Sequence, residues 1–499
     1  MSTATEPTTT PAAPPAAPKA ADTGRWWALV VLAMAQLMVV LDATIVNIAL
    51  PTAQHDLGFS DADRQWVVTG YALAFGSLLL LGGRLSDFFG RRRMFLIGLV
   101  GFALASALGG AANGLEMLIV ARALQGAFGA ALAPAALSLL STTFTEPADR
   151  GKAFGIFGAI SGAGGAVGLL LGGVLTEYAS WRWCLYVNLV IAAIAVFGAL
   201  TRLSAERVTS RNKLDLPGVV TAVVGLVGLV FGLGKAETDG WTAGITLGPI
   251  IVGVVVLIAF VVIETRVAHP LLPLRVVLDR NRGGSYASIG IAGAGMFGIF
   301  LFLTYFLTSF LHFTPIKTGL AFLPMLAAIM TSATAAGAIL TPKVGPRPLV
   351  PAGALIAAAG MLFLTRLDLD STYASGVLPG LLVIGLGLGL VFAPTQNAAT
   401  SGVEHRDAGV ASAMINTVQQ IGGSIGTALL SSFAASAATN HLAGKPQTAQ
   451  VAAEAALASY HTVFWWSCGF FLLAAVVAAL MFRTGPLDVD PDAPKAMAH

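Results

Sequence analysis

Apolar residues along this 499-residue chain fall into fourteen long runs separated by short polar segments. The runs lie near 26–50, 65–85, 93–112, 116–141, 152–176, 183–202, 214–234, 243–264, 284–311, 317–341, 348–366, 374–400, 407–435 and 460–482. A helix needs roughly 20 such residues to cross a hydrocarbon core. Backbone groups find no water there, so the runs are predicted to be helices. They lack the alternation of a membrane barrel. The pattern predicts an all-α integral membrane protein with fourteen transmembrane helices.

The polar segments orient the chain. One of them, residues 83–93, reads Gly83-Arg-Leu-Ser-Asp87-Phe-Phe-Gly90-Arg91-Arg92-Arg93 and must sit at a membrane surface. With the amino terminus inside, 21 of the 28 lysines and arginines face the cytoplasm, six face outside, and Arg122 lies within a span. That bias predicts a cytoplasmic-membrane protein with both termini cytoplasmic. Composition agrees: 56% of residues are hydrophobic, 11% are charged, and 57 are glycine. The net charge of +3 reflects the inner-face arginines, so no nucleic-acid partner is expected. Cys184 and Cys468 read as packed thiols. No metal or cofactor is expected, because no ligand spacing supports one.

The spans also group. Segment 1–24, rich in Thr, Ala and Pro, and segment 484–499 are expected to be loose cytoplasmic tails. Between them, 25–205 and 271–483 each hold six spans, and 206–270 holds two. A faint repeat supports the pairing: shifted by 255 residues, Leu85, Gly90 and Arg92 fall on Leu340, Gly345 and Arg347. The expected architecture is two six-helix bundles plus an inserted helix pair, a plan shared by many secondary transporters.

Six local patterns then resemble one family in order along the chain. Residues 41–51 read Leu41-Asp42-Ala-Thr44-Ile-Val-Asn47-Ile-Ala-Leu50-Pro51, and Gly83 to Arg92 follows. Arg122-Ala-Leu-Gln125-Gly126 comes next, then Gly164, Gly168 and Gly172-Gly173, with Leu169 where the family usually has proline. Trp181 to Asn188, and Gly409 to Gly423, complete the set. Together they resemble the major facilitator superfamily, specifically its fourteen-helix drug:proton antiporter branch. The resemblance implies proton coupling at Asp42 and Arg122. It also implies a cytoplasmic gate at Gly83, Asp87, Gly90, Arg91 and Arg92, and an antiporter motif at Gly164, Gly168, Gly172 and Gly173.

Each assignment has a plainer competitor. A carboxylate in hydrocarbon is expensive, so Asp42 either faces water and titrates or is a structural acid bonded to its neighbours. Arg122 either tunes such an acid or anchors helices through its five donors. Asp87 with Arg91 and Arg92 forms a latch or simply sets topology. The glycines at four-residue spacing allow close helix packing, with or without sliding. Phe302, Phe306, Phe310, Phe313 and Tyr305 stack on a planar drug or pack against other helices. Met34, Met38, Gln125, Asn416 and Gln420 complete the substrate-cavity candidates, Met34 and Met38 as adaptable lining. The polar stripe containing Asn416 and Gln420 faces protein or cavity.

The expected function is proton-coupled export of lipophilic drugs or antibiotics by alternating access, with protons, small lipophilic molecules and the bilayer as partners and a monomeric chain. The alternative is a dedicated exporter of one endogenous metabolite. No metal cluster, nucleophile elbow or nucleotide loop points to an enzyme, and the short tails offer no signalling domain.

Overall fold

The computed structural model describes residues 23–60, 63–144, 146–203, 215–268, 270–403, 407–446 and 448–485. The expected tails lie outside these, apart from two residues at each junction. Among the described residues, fourteen helices are long and apolar enough to span a membrane, and no strand occurs. They are α1 (Thr23–Leu57), α2 (Arg64–Phe89), α3 (Arg91–Gly110), α4 (Leu115–Thr143), α5 (Pro147–Tyr178), α6 (Trp183–Arg202), α7 (Leu216–Asp239) and α8 (Gly244–Glu264). The second half has α9 (Arg280–Ser309), α10 (Pro315–Val344), α11 (Pro346–Leu364), α12 (Tyr373–Thr400), α13 (Ala408–Leu442) and α14 (Ala449–Met481).

Helices overshoot the apolar runs where the sequence favours helix beyond the bilayer. Helix α14 starts at Ala449, well before 460, because Ala449–Ser459 is rich in alanine, the strongest helix former. Hydropathy registers only the part that needs lipid.

Helices α1–α6 form one bundle and α9–α14 the other, each around a core of buried aliphatic and aromatic residues. The internal repeat is visible at the turns. Gly90 joins α2 to α3 at φ 93°, and Gly345 joins α10 to α11 at φ 76°. Only glycine adopts that region without strain, so both halves turn on the same device.

Two seams join the bundles, α2 against α13 and α5 against α10. At the first, a Cβ on Gly76 would lie 3.1 Å from the Gln420 Cβ. At the second, a Cβ on Gly173 would lie 2.6 Å from the Ile316 Cα, and one on Gly319 2.4 Å from the Leu169 carbonyl oxygen. Helix α7 packs against α13 and α2, with α8 packed on α7. Trp66 meets Phe231 and the bare face of Gly234, while Trp241 stacks on Phe433. The inserted pair therefore touches both bundles over one seam.

Candidate functional site: a buried charge network

Four helices of the first bundle converge on one carboxylate. Asp42, on α1, is fully buried. The Arg122 Nη1, on α4, donates to its Oδ2 at 2.5 Å. The Gln125 Nε2, one turn along α4, donates to Oδ1 at 2.8 Å, and the Asn188 Nδ2 of α6 does so at 2.8 Å. Ser106 of α3 ties the two amides together, accepting from Gln125 at 2.7 Å and from Asn188 at 3.3 Å. Among the described residues, each hydrogen bond to the Asp42 carboxyl comes from an N–H donor.

Arg122 is held from other sides as well. Its Nε donates to the Val67 carbonyl at 3.3 Å, its Nη1 also reaches the Gln125 Oε1 at 2.9 Å, and its guanidinium lies 4.4 Å from the Tyr71 ring centroid. Tyr71 and Val67 both lie on α2, so that helix supports the cation while α1 supplies the anion. Removing either charge would strand its buried partner, at a cost of about 3–5 kcal/mol. A small cavity lined by Arg122, Val67, Leu118, Trp181, Cys184 and Leu185 adjoins the guanidinium on its other side.

The glycine motif on α5 packs against the helix that carries Asp42. A Cβ on Gly164 would meet Val40 at 3.1 Å, and one on Gly172 would meet Ile45 at 3.0 Å. One on Gly168 would lie 2.0 Å from the Thr44 Oγ1 and 2.9 Å from the Leu41 carbonyl. Gly173 breaks the pattern and faces α10 of the other bundle. One helix thus touches Asp42's backbone neighbourhood on one face and the inter-bundle seam on another.

The end of the molecule remote from the chain termini is fastened across the bundles. The Tyr305 hydroxyl donates to the Gln54 Oε1 at 2.5 Å. The Arg64 guanidinium lies over Tyr305 at 4.0 Å and Phe302 at 5.3 Å. The Ile316 N–H donates to Glu177 at 3.2 Å. At the same end, Asp56 pairs with Arg182 and accepts from the Trp181 indole at 2.9 Å.

At the opposite end, Arg92 donates to the Leu200 carbonyl of its own bundle at 2.9 Å, and Arg84 donates to the Pro270 carbonyl at 2.7 Å. Arg91 is half-buried, and Gly83 has only Pro134 near its face, at 3.8 Å. The Asp87 side chain lies outside the described residues.

The substrate-cavity candidates separate by burial. Gln125 belongs to the charge network, and Met38 is fully buried in the first bundle's core. Met34 is half-buried. Phe306 is enclosed, stacked on Phe310 with ring centroids 5.4 Å apart and edge-on to Tyr460. Gln420 is half-buried against α2, whereas Asn416, one turn along the same face of α13, is exposed. An exposed amide at membrane depth requires water rather than lipid. Gln396 and Asn397 of α12 are exposed in the same way.

Ser106, Tyr71, Arg64 and Gln54 carry these contacts without standing out as site residues in the sequence, and Tyr305 stands out only as part of the aromatic stripe. A lone serine in a helix rich in alanine and glycine leaves no pattern, and an arginine at a span boundary reads as a topology marker.

Two bundles of spanning helices, one carrying a buried ion pair and both fastened at one end, define a membrane transporter architecture. The chain belongs to the Major Facilitator Superfamily, whose sequence profile matches residues 32–427. It is 47% identical over 485 residues to the puromycin resistance protein pur8 of Streptomyces alboniger, covering 95% of this chain and 96% of that protein. It is 41% identical to the cephamycin export protein CmcT of Amycolatopsis lactamdurans, covering 81% and 84%. Among solved structures, an auto-inhibited POT family peptide transporter superposes with a TM-score of 0.66 at 14% identity, covering 95% of this chain and 99% of that one. That last likeness speaks for the fold alone.

Proposed function

We propose that this protein exports lipophilic drugs or antibiotics across the cytoplasmic membrane in exchange for protons, by alternating access. The single observation that carries the reading is the fully buried Asp42 carboxylate, held by Arg122, Gln125 and Asn188. A proton arriving on Asp42 would cancel its attraction for Arg122 and release the guanidinium toward Tyr71 and Val67. Loss of the proton would restore the pair. Each protonation state then favours a different packing of α1 against α4 and α5, which is what coupling requires. At 100 mV each charge moved supplies about 2.3 kcal/mol.

In this reading both termini are cytoplasmic, and 25–205 rocks against 271–483 while 206–270 bridges them. The Gly83–Arg92 segment, the end of α2 and the start of α3 about Gly90, biases the inner gate, and Gly164, Gly168 and Gly172 let α5 follow α1. Asn416 and Gln420 offer neutral hydrogen bonds to cargo, with Met34 as adaptable lining. Relatives named for puromycin and cephamycin support export of an antibiotic-like molecule. The same names favour a second reading, a dedicated exporter of one endogenous product. A deletion strain sensitised to many compounds would support multidrug export, and one sensitised to a single compound the dedicated role.

The decisive experiment uses inverted membrane vesicles. Asp42→Asn should abolish drug-driven proton release while leaving the protein inserted. Undiminished release would remove Asp42 from the mechanism.

A further inference from the structure

The inserted pair carries a second buried acidic site, unrelated to Asp42. Asp215 caps the start of α7, accepting from the Gly218 N–H through Oδ1 at 2.9 Å. Glu264 ends α8 and accepts from the Leu272 N–H through Oε2 at 2.9 Å. Both side chains are more than nine-tenths buried. Among the described residues, their other oxygens, Asp215 Oδ2 and Glu264 Oε1, have no hydrogen-bond partner. They flank one point above Gly218, 2.4 and 2.6 Å from where a Cβ would sit, so the two oxygens face each other at short range. Two buried carboxylates this close repel each other when both are ionised, and one shared proton relieves that repulsion.

The acceptor of Leu272 is also the root of a strap. Residues 265–268 and 270–279 follow α8, and Arg84 of the first bundle donates to Pro270 among them. Arg275, on a single turn at Leu274–Val277, forms a two-pronged pair with Asp407 at the start of α13, at 3.0 Å on each prong. The side chains of Leu272 and Val276 are buried against Tyr286, Ala411 and Met414. The strap is therefore bound to the inserted pair, to the first bundle and to the second bundle within a few residues.

We propose that Asp215 and Glu264 form a proton-binding site that holds one shared proton and, by keeping Glu264 docked on Leu272, fastens the strap across both bundles. Loss of the proton to solvent breaks one O–H bond and leaves two facing carboxylates, whose repulsion swings the Glu264 side chain away from Asp215 and so carries its Oε2 off the Leu272 N–H. Among the described residues, Asp215 is the titratable group facing Glu264. The strap presents the Leu271 and Leu272 backbone, and the neighbouring cations Arg84 and Arg275 are committed to Pro270 and Asp407. Arg266 is exposed. A site that holds its proton more tightly when docked favours docking at low pH and loses it as pH rises. The site does not rest on coupling at Asp42, and its readouts below need no transport.

The test uses the full-length protein in detergent with Leu272→Cys, which keeps the backbone N–H; native Cys184 and Cys468 are buried. Labelling by a soluble maleimide, expressed at each pH relative to that of free glutathione so that ionisation of the thiol itself cancels, should rise at least about tenfold between about pH 5 and about pH 9 as the strap releases. Adding Glu264→Gln, whose amide donates to Asp215 permanently, should hold labelling low at every pH. Adding Glu264→Ala should hold it high. In infrared spectra at about pH 6, Glu264→Gln should remove one protonated-carboxyl band. Labelling that does not change with pH in the Leu272→Cys protein, or a carboxyl band unchanged by Glu264→Gln, overturns the proposal.

Discussion

The two bundles share a fold and a glycine turn but not an interior. The first buries a complete ion pair with two amides, a hydroxyl and a tyrosine ring around it. Among the described residues, the spanning core of the second buries hydroxyls and packed aromatics, and its buried acid, Asp407, sits at a helix start. Those hydroxyls mostly bond within their own helix, as Thr304 does to Phe300 and Thr427 to Gly423. Such bonds survive any rigid motion of the helix. The Asp42 contacts link α1 to α4 and α6 and do not. Charge is concentrated where rearrangement must be felt, and the other half supplies a stiff wall with exposed amides.

Three substitutions would break or sharpen that contrast. Arg122→Leu should have the largest effect, about 3–5 kcal/mol of lost stability from an unpaired buried carboxylate. Adding Asp42→Leu should recover much of it, so thermal melts of the single and double variants should be strongly non-additive. Additive losses would mean that the pair is not energetically coupled. Gly168→Ala comes next, because its methyl would collide with Thr44 and the Leu41 carbonyl. A loss of about 1–3 kcal/mol is expected, whereas Gly165→Ala, with open space at its face, should be neutral. The smallest effect should come from Tyr305→Phe, which deletes the hydrogen bond to Gln54 but keeps the ring under Arg64. About 1 kcal/mol should go, read as a shift in spin-label distances between α5 and α10 toward separation at the remote end.

Much of this was legible in residues alone, for a physical reason. Hydrocarbon forces the helix count and makes Asp42 and Arg122 conspicuous, since charge at membrane depth needs explaining. Their contact was not legible, because 80 residues separate them and only the packing of α1 on α4 brings them together. Arg64 stands at the edge of a span, where a basic residue draws no notice, yet it folds over an aromatic pair from the other bundle. Glu264 closes a predicted span and Asp215 opens one, so each resembled an ordinary boundary acid until α7 and α8 placed them side by side. Helix ends were misjudged wherever alanine carries a helix past the bilayer.

The placement of α7 and α8 makes the molecule lopsided toward its lipid surroundings. They roof the crevice between α2 and α13, while among the described residues no helix of the inserted pair packs over the opposite crevice, between α5 and α10. Acyl chains, and any greasy solute dissolved among them, can press against one flank of the bundle junction and are held off the other.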